Sequence, residues 1–91
     1  MEKIQLIVKI EGGTGSVFVD FDSKNTFHFK GAGVFEKEVE IKEGEKAVVI
    51  AGSEPSDGFV LITIKKQQKT LATAKFTQTV FYGILPFTVK P

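Results

Sequence analysis

The sequence predicts an all-β fold: a small antiparallel β-sandwich of about seven to eight strands with an immunoglobulin-like or transthyretin-like Greek key, and a small β-barrel as the alternative. Three observations support this. Apolar and polar residues alternate along much of the chain, which is the period of a strand. Glycine-rich or charged turns recur at intervals of roughly ten residues. No segment combines a helical period with helix caps. The 91 residues fit one domain, 1–91.

The N-terminal third predicts a hairpin followed by a further strand. The apolar positions of the first two strands are Ile4, Leu6, Val8, Ile10, Val17, Val19 and Phe21. The glycines of 12–15 can reverse the chain between these strands at little steric cost. Residues 22–25 (DSKN) form a second polar turn, and Phe27 and Phe29 lie on a strand that closes at 31–33 (GAG).

The remaining chain supplies further strands. Phe35, Val39 and Ile41 share one face of a strand whose other face carries glutamates, and Lys37 is an odd member of the apolar set. The runs 47–51 and 59–64 have little polar interruption and predict more buried, central strands. Further strands are expected at 71–77 and 87–89, after a charged hairpin tip at 65–69.

Residues 39–51 (VEIKEGEKAVVIA) read as strand, glycine turn, strand. This stretch is similar to the corresponding segment of transthyretin-like and carboxypeptidase-regulatory-like β-sandwich modules of bacterial surface proteins. The resemblance implies the same sandwich fold for this part of the chain. It implies no catalytic residues, since those modules share none.

Composition narrows the classes of function. The chain has 12 Lys and Arg, all of them lysine, against 11 Asp and Glu, for a net charge of +1. Because arginine is the usual reader of phosphates and base edges, its absence argues against a nucleic-acid partner. The hydrophobic runs are too short to cross a membrane. With no cysteine, the chain has no disulfide and no thiolate metal site, and its redox compartment stays open.

The loop 52–58 (GSEPSDG) holds the residue types that hydrolases use, except histidine. Ser53 or Ser56 would need a base, and the only imidazole in the chain is His28, with Asp57 as a third member. The same residue types are those that build turns, so a turn is the preferred interpretation. His28 lies between two phenylalanines and is expected to face solvent if both rings point inward.

Two clusters of polar and charged residues are further candidate binding sites. Asp20, Asp22 and Asn25 could gather oxygen ligands for calcium, although the segment lacks the glycine and the later glutamate of a calcium loop. A solvated strand face that runs into an Asx turn is the simpler interpretation. Lys65, Lys66 and Lys69 form the densest basic cluster, which predicts a solubilising hairpin tip or, alternatively, a polyanion or membrane contact.

The segment 80–87 (VFYGILPF) carries no charge. Strand alternation cannot bury all of its large side chains on one side, so some are expected to remain exposed as a partner surface. The predicted partner-binding residues are Phe81, Tyr82, Ile84 and Leu85, with Phe81 and Tyr82 as anchors.

The sequence therefore predicts a non-enzymatic interaction or assembly module that contacts a protein partner or a second copy of itself, as in a homodimer, and needs no cofactor. A small-ligand or calcium-binding module is the alternative, and a hydrolase that uses His28 is a third. The predicted compartment depends on the extent of the chain: cytoplasmic if the chain is complete, extracellular or surface if it is an excised domain.

Overall fold

The computed structural model describes residues 2–22, 25–53 and 58–90, and these form an antiparallel all-β structure. The strands are β1 (Glu2–Asp20), β2 (Thr26–Ile41), β3 (Gly44–Ser53), β4 (Phe59–Lys66), β5 (Lys69–Phe76) and β6 (Val80–Val89). Every pairing is antiparallel, which confirms the predicted class. In this part of the chain no helix is long and apolar enough to cross a membrane.

The long strand β1 organises the sheet. One edge of β1 pairs with β2 along most of its length. Its other edge pairs with β4 over residues 5–11 and with β3 over residues 16–20. The strand order is β5-β4-β1-β3-β6, with β2 on the remaining edge of β1. The sheet therefore bends back on itself and is nearly closed, an arrangement that fits the small-barrel alternative.

Two predicted interruptions, the reversal at 12–15 and the strand end at 31–33, are wrong, and together they account for six strands among the described residues instead of seven to eight. Gly12 and Gly13 do not reverse the chain: they adopt positive φ angles of 92° and 132° inside β1, where the β1–β2 register shifts between Ile10 and Gly15. In β2, Gly31 and Gly33 also have positive φ angles. This strand was expected to end at 31–33, but it continues through these residues to Ile41. Because glycine tolerates this conformation, both strands bend together at a bulge and remain unbroken.

The alternation predicted the buried face of 4–10 and 17–19 correctly, whereas Phe81, a predicted partner-binding residue, lies in the core. Among the described residues seventeen apolar side chains are buried: Ile4, Leu6, Val8, Ile10, Val17, Val19, Phe29, Val39, Ile41, Val48, Ile50, Val60, Ile62, Ile64, Phe81, Phe87 and Val89. Burying each such side chain stabilises the fold by roughly 1.5–3 kcal/mol. Phe35 packs on this core as expected, and Lys37 lies exposed on β2, whose outer edge pairs with no other described strand. A charge at that position discourages pairing with another chain.

Candidate functional site

The second half of β1 and the strands around it present one continuous face to solvent. The registers align three cross-strand rows on this face, which we call the outer face. The rows are Lys30–Ser16–Ser53–Val80, His28–Phe18–Ala51–Tyr82 and Thr26–Asp20–Val49–Ile84. Residues directly opposite each other in such rows have Cβ atoms about 4.5–5.5 Å apart. The twelve side chains therefore form one surface.

The outer face is apolar for a surface that meets water. Four of its five large apolar residues are exposed, Phe18 by 48%, Val80 by 75%, Tyr82 by 68% and Ile84 by 61%, and Val49 is half-buried. The only charged members are Lys30 and Asp20, both at the β2–β1 side. Contiguous exposed apolar patches of this kind mark interaction surfaces.

The first half of β1 lies in a different environment. Its solvent-facing rows hold the charged residues Lys3, Lys9, Glu36, Glu38, Glu40 and Lys65. Lys3 Nζ lies 3.6 Å from Glu38 Oε1 in an ion pair. The solvent-facing rows beside the first half of β1 are thus mostly charged, with Val34 as an exposed large apolar residue, whereas Phe18, Val80, Tyr82 and Ile84 all lie on the outer face.

His28 is held on the outer face by two contacts. Its ring stacks on Phe18 with centroids 4.1 Å apart and planes within 1°. Its Nε2 atom hydrogen-bonds to Ser16 Oγ at 2.7 Å. Both partners lie on β1, directly or diagonally opposite His28 on β2, because the hairpin register places Phe18 beside His28 and Ser16 beside Lys30. The imidazole therefore extends the aromatic row and fixes the Phe18 ring.

His28 and Ser16 lack part of what nucleophilic catalysis requires. A serine nucleophile needs a base that is itself oriented by a third group. In the described ranges no carboxylate hydrogen-bonds to His28. The predicted partner Ser53 lies on β3 beside Ser16, whereas Ser56 and Asp57 fall outside the described residues. The hydroxyl that contacts His28 is that of Ser16, which sequence reasoning did not select.

Comparison with protein-family models, curated proteins and solved structures found no match to this chain.

The structure divides the four predicted partner-binding residues by face. Tyr82 and Ile84 point outward on β6. Phe81 is 4% exposed and stacks on Phe76 with ring centroids 4.5 Å apart, and Leu85 is half-buried against the core. The alternation of β6 separates the set because successive side chains point to opposite sides of a sheet. The outer face contains the first pair only.

The three candidate calcium ligands are engaged in a turn. The Asn25 backbone N–H donates to Asp22 Oδ1 at 2.9 Å, and Thr26 Oγ1 donates to Asp20 Oδ1 at 3.0 Å. The Phe21 N–H donates to the Asn25 carbonyl at 3.0 Å. These bonds lie between β1 and β2, where the sequence predicts an Asx turn, and residues 23 and 24 lie outside the described set. Nowhere in the described ranges do three or more histidines or carboxylates converge as a metal site would require.

The basic cluster is divided between two strands: Lys65 and Lys66 lie on β4, and Lys69 lies on β5. Lys65 pairs with Thr70, and Lys66 lies opposite Lys69. Lys66 Nζ forms an ion pair with Glu2 Oε1 at 2.7 Å and also donates to the carbonyl of Lys90. The hydrogen bond from Lys66 lowers the pKa of the Glu2 carboxyl below its usual value.

Phe18, Ser16 and Val80 were not predicted from the sequence as site residues. One signal was present: Phe18 occupies the polar side of the alternation between Val17 and Val19. A phenylalanine at an outward position is costly to expose, so it is a candidate for contact. No local signal could show that Phe18 and Tyr82 share a row.

Proposed function

We propose that this protein is a non-enzymatic assembly module whose outer face packs against the outer face of a second copy. The single observation that carries the proposal is the confinement of the exposed Phe18, Val80, Tyr82 and Ile84 to one sheet face. Burying apolar area of this kind is the main favourable term in protein association.

The arrangement of the rows suits a two-fold axis. Consider a two-fold axis that runs between two stacked outer faces, parallel to the His28–Phe18–Ala51–Tyr82 row. A rotation of 180° about this axis places Phe18 and Tyr82 opposite the same residues of the second copy. It also places Val80 opposite the partner's Ile84. The same rotation brings Lys30 within one strand spacing, about 4.8 Å sideways, of the partner's Asp20. The two charges of the face then complement each other across the interface. Isologous contacts require this kind of self-complementarity.

The size of the face sets the expected strength. Four strands about 4.8 Å apart and three rows about 6.7 Å apart cover roughly 400 Å² on each copy. Stable interfaces bury about 800 Å² per partner, so the dimer is expected to form in the micromolar range or weaker. Its population should therefore depend on protein concentration.

Light scattering over a hundredfold concentration range tests this proposal. The weight-average mass of the wild type should rise from the 10.0 kDa monomer towards twice that value. Tyr82→Ser should weaken the dimer by about 100-fold, because a central aromatic contributes more than 1 kcal/mol and is lost on both copies. Phe18→Ser should act in the same direction.

Val34→Ser is the matched control, since Val34 is 59% exposed but lies outside the outer face. This variant should associate like the wild type. A wild type that stays monomeric up to about 1 mM would remove self-assembly, and the outer face would then have to bind a different protein. A Tyr82→Ser variant that dimerises normally would place the contact elsewhere on the molecule.

A further inference from the structure

A groove of about 690 Å³ lies where the nearly closed sheet fails to close, between the start of β5 and the end of β6. At the other end of these strands Phe76 and Phe81 stack and hold β5 and β6 together. Along the groove, β5 pairs only with β4 and β6 only with β3 among the described strands. The groove is lined by Lys66, Gln67, Lys69, Thr70, Leu71, Phe87, Thr88 and Lys90.

The groove lining is basic. It contains three lysines and no acidic residue. Lys66 is satisfied by Glu2 and the Lys90 carbonyl, but Lys69 and Lys90 have no carboxylate partner among the described residues. Lys66 and Lys69 also lie directly opposite each other in the hairpin, and like charges so placed are destabilising. A bound anionic group at this position would relieve that repulsion.

Besides its lysines, the groove has an apolar floor and walls made of strand edges. Phe87 is buried and Leu71 half-buried, so both can offer apolar surface at the base. The walls are the facing edges of β5 and β6. An edge strand presents backbone N–H and C=O groups that another extended chain can pair with. Strand addition of this kind takes affinity from the main chain and specificity from alternate side chains.

We propose that this groove binds an extended acidic segment of a partner protein, which adds as a strand along the edges of β5 and β6. Alternating side chains of the segment would face in opposite directions. Apolar ones would meet Leu71 and Phe87, and carboxylates would meet Lys69 and Lys90. This groove is separate from the outer face, so peptide binding can be tested independently of self-assembly.

A labelled, end-blocked peptide of alternating glutamate and valine, six residues long, is the probe for this site. Its affinity is measured by fluorescence anisotropy at low ionic strength, where ion pairs are least screened. The double variant Lys69→Gln/Lys90→Gln should bind about 5-fold more weakly or worse. Lys37→Gln/Lys42→Gln removes the same charge away from the groove and should bind within about 2-fold of the wild type.

Two further peptides separate strand addition from simple charge attraction. A lysine–valine peptide of equal length should not bind. A glutamate–valine peptide N-methylated at alternate residues cannot donate main-chain hydrogen bonds on one edge and should bind at least about 5-fold more weakly. Amide shifts in the NMR spectrum should centre on Leu71 and Thr88. The proposal is overturned if both lysine double variants lose affinity equally, if the methylated peptide binds normally, or if the shifts centre elsewhere.

Discussion

The ring of Phe18 on β1 stacks in parallel on the imidazole of His28 on β2, with centroids 4.1 Å apart. The two residues are direct cross-strand partners. Each covers one side of the other, so a phenylalanine that is about half exposed is held in one orientation within the outer face.

Removing His28 should therefore loosen Phe18. We expect His28→Ala to lower the free energy of unfolding by about 0.5–1.5 kcal/mol, the range for an aromatic pair. Urea denaturation followed by circular dichroism measures the change. Lys30→Ala, two residues away on the same exposed face, is the control and should stay within about 0.5 kcal/mol of the wild type. Equal losses in the two variants would mean that the stack contributes nothing specific.

The neighbours Phe81 and Tyr82 should respond in opposite ways to truncation. Phe81 lies in the core, so Phe81→Ala should cost about 3–5 kcal/mol of stability. Tyr82 faces solvent, so Tyr82→Ala should cost less than about 1 kcal/mol while reducing association. If Phe81→Ala does not fold, the milder Phe81→Leu should still be destabilised by about 1 kcal/mol. A Tyr82→Ala variant that loses more stability than Phe81→Leu would contradict the faces assigned to β6.

Two glycines lie against the bend of β1. A Cβ added to Gly58 would lie 1.8 Å from the Glu11 carbonyl oxygen, and one added to Gly52 would lie 2.1 Å from that of Ser16. Both contacts are with backbone, which cannot move without disturbing the sheet. We expect Gly52→Ala and Gly58→Ala each to cost about 1–3 kcal/mol or more.

Gly83→Ala is the matched control for these two substitutions. Its nearest atoms belong to the Phe76 ring at 3.2 Å, and a side chain can shift more easily than backbone. Thermal melting of the three variants should rank Gly83→Ala closest to the wild type. A Gly83→Ala variant that melts below both others would contradict the account of the bend.

The ion pair between Glu2 and Lys66 makes a defined contribution to the pH dependence of stability. Lys66 lowers the pKa of the Glu2 carboxyl in the folded state. The resulting stabilisation is present above the unfolded-state pKa of about 4.3 and is lost as the pH falls through the lower folded-state value. We expect Glu2→Gln to unfold at lower urea than the wild type at pH 7, and we expect this difference to be smaller at pH 3. A difference that is unchanged between these two pH values would show that charge is not its cause.

The Asp22 carboxylate accepts hydrogen bonds from Asn25, so its role is to shape the turn. We expect Asp22→Ala to lower stability by about 1 kcal/mol or more. Millimolar calcium should leave the melting temperature of the wild type unchanged. The calcium alternative predicts the opposite, since a ligand that binds only the native state must raise the melting temperature. A rise that disappears in Asp22→Ala would establish calcium binding.

Much of the fold was predictable because the relevant physics is local. The period-two alternation of 4–10 and 17–19 identified strands and their buried faces before any pairing was known. The run 59–64 was predicted as a strand, but its burial alternates and is not the same on both faces. The turn at 22–25 follows from Asx chemistry. The sequence also indicated that some of 80–87 would stay exposed, although it did not separate Tyr82 from Phe81, because the face that a strand buries is chosen by its pairing with β3.

By itself the sequence determined the all-β class, the buried faces of 4–10 and 17–19 and the absence of charge from 80–87. The tertiary structure decided that Gly12 and Gly13 bend β1 and do not reverse it, and that the sheet nearly closes with a basic groove between β5 and β6. It also decided that His28, Phe18 and Tyr82, far apart in the chain, share one row. Alternation depends only on neighbouring residues, whereas register and closure depend on long-range pairings.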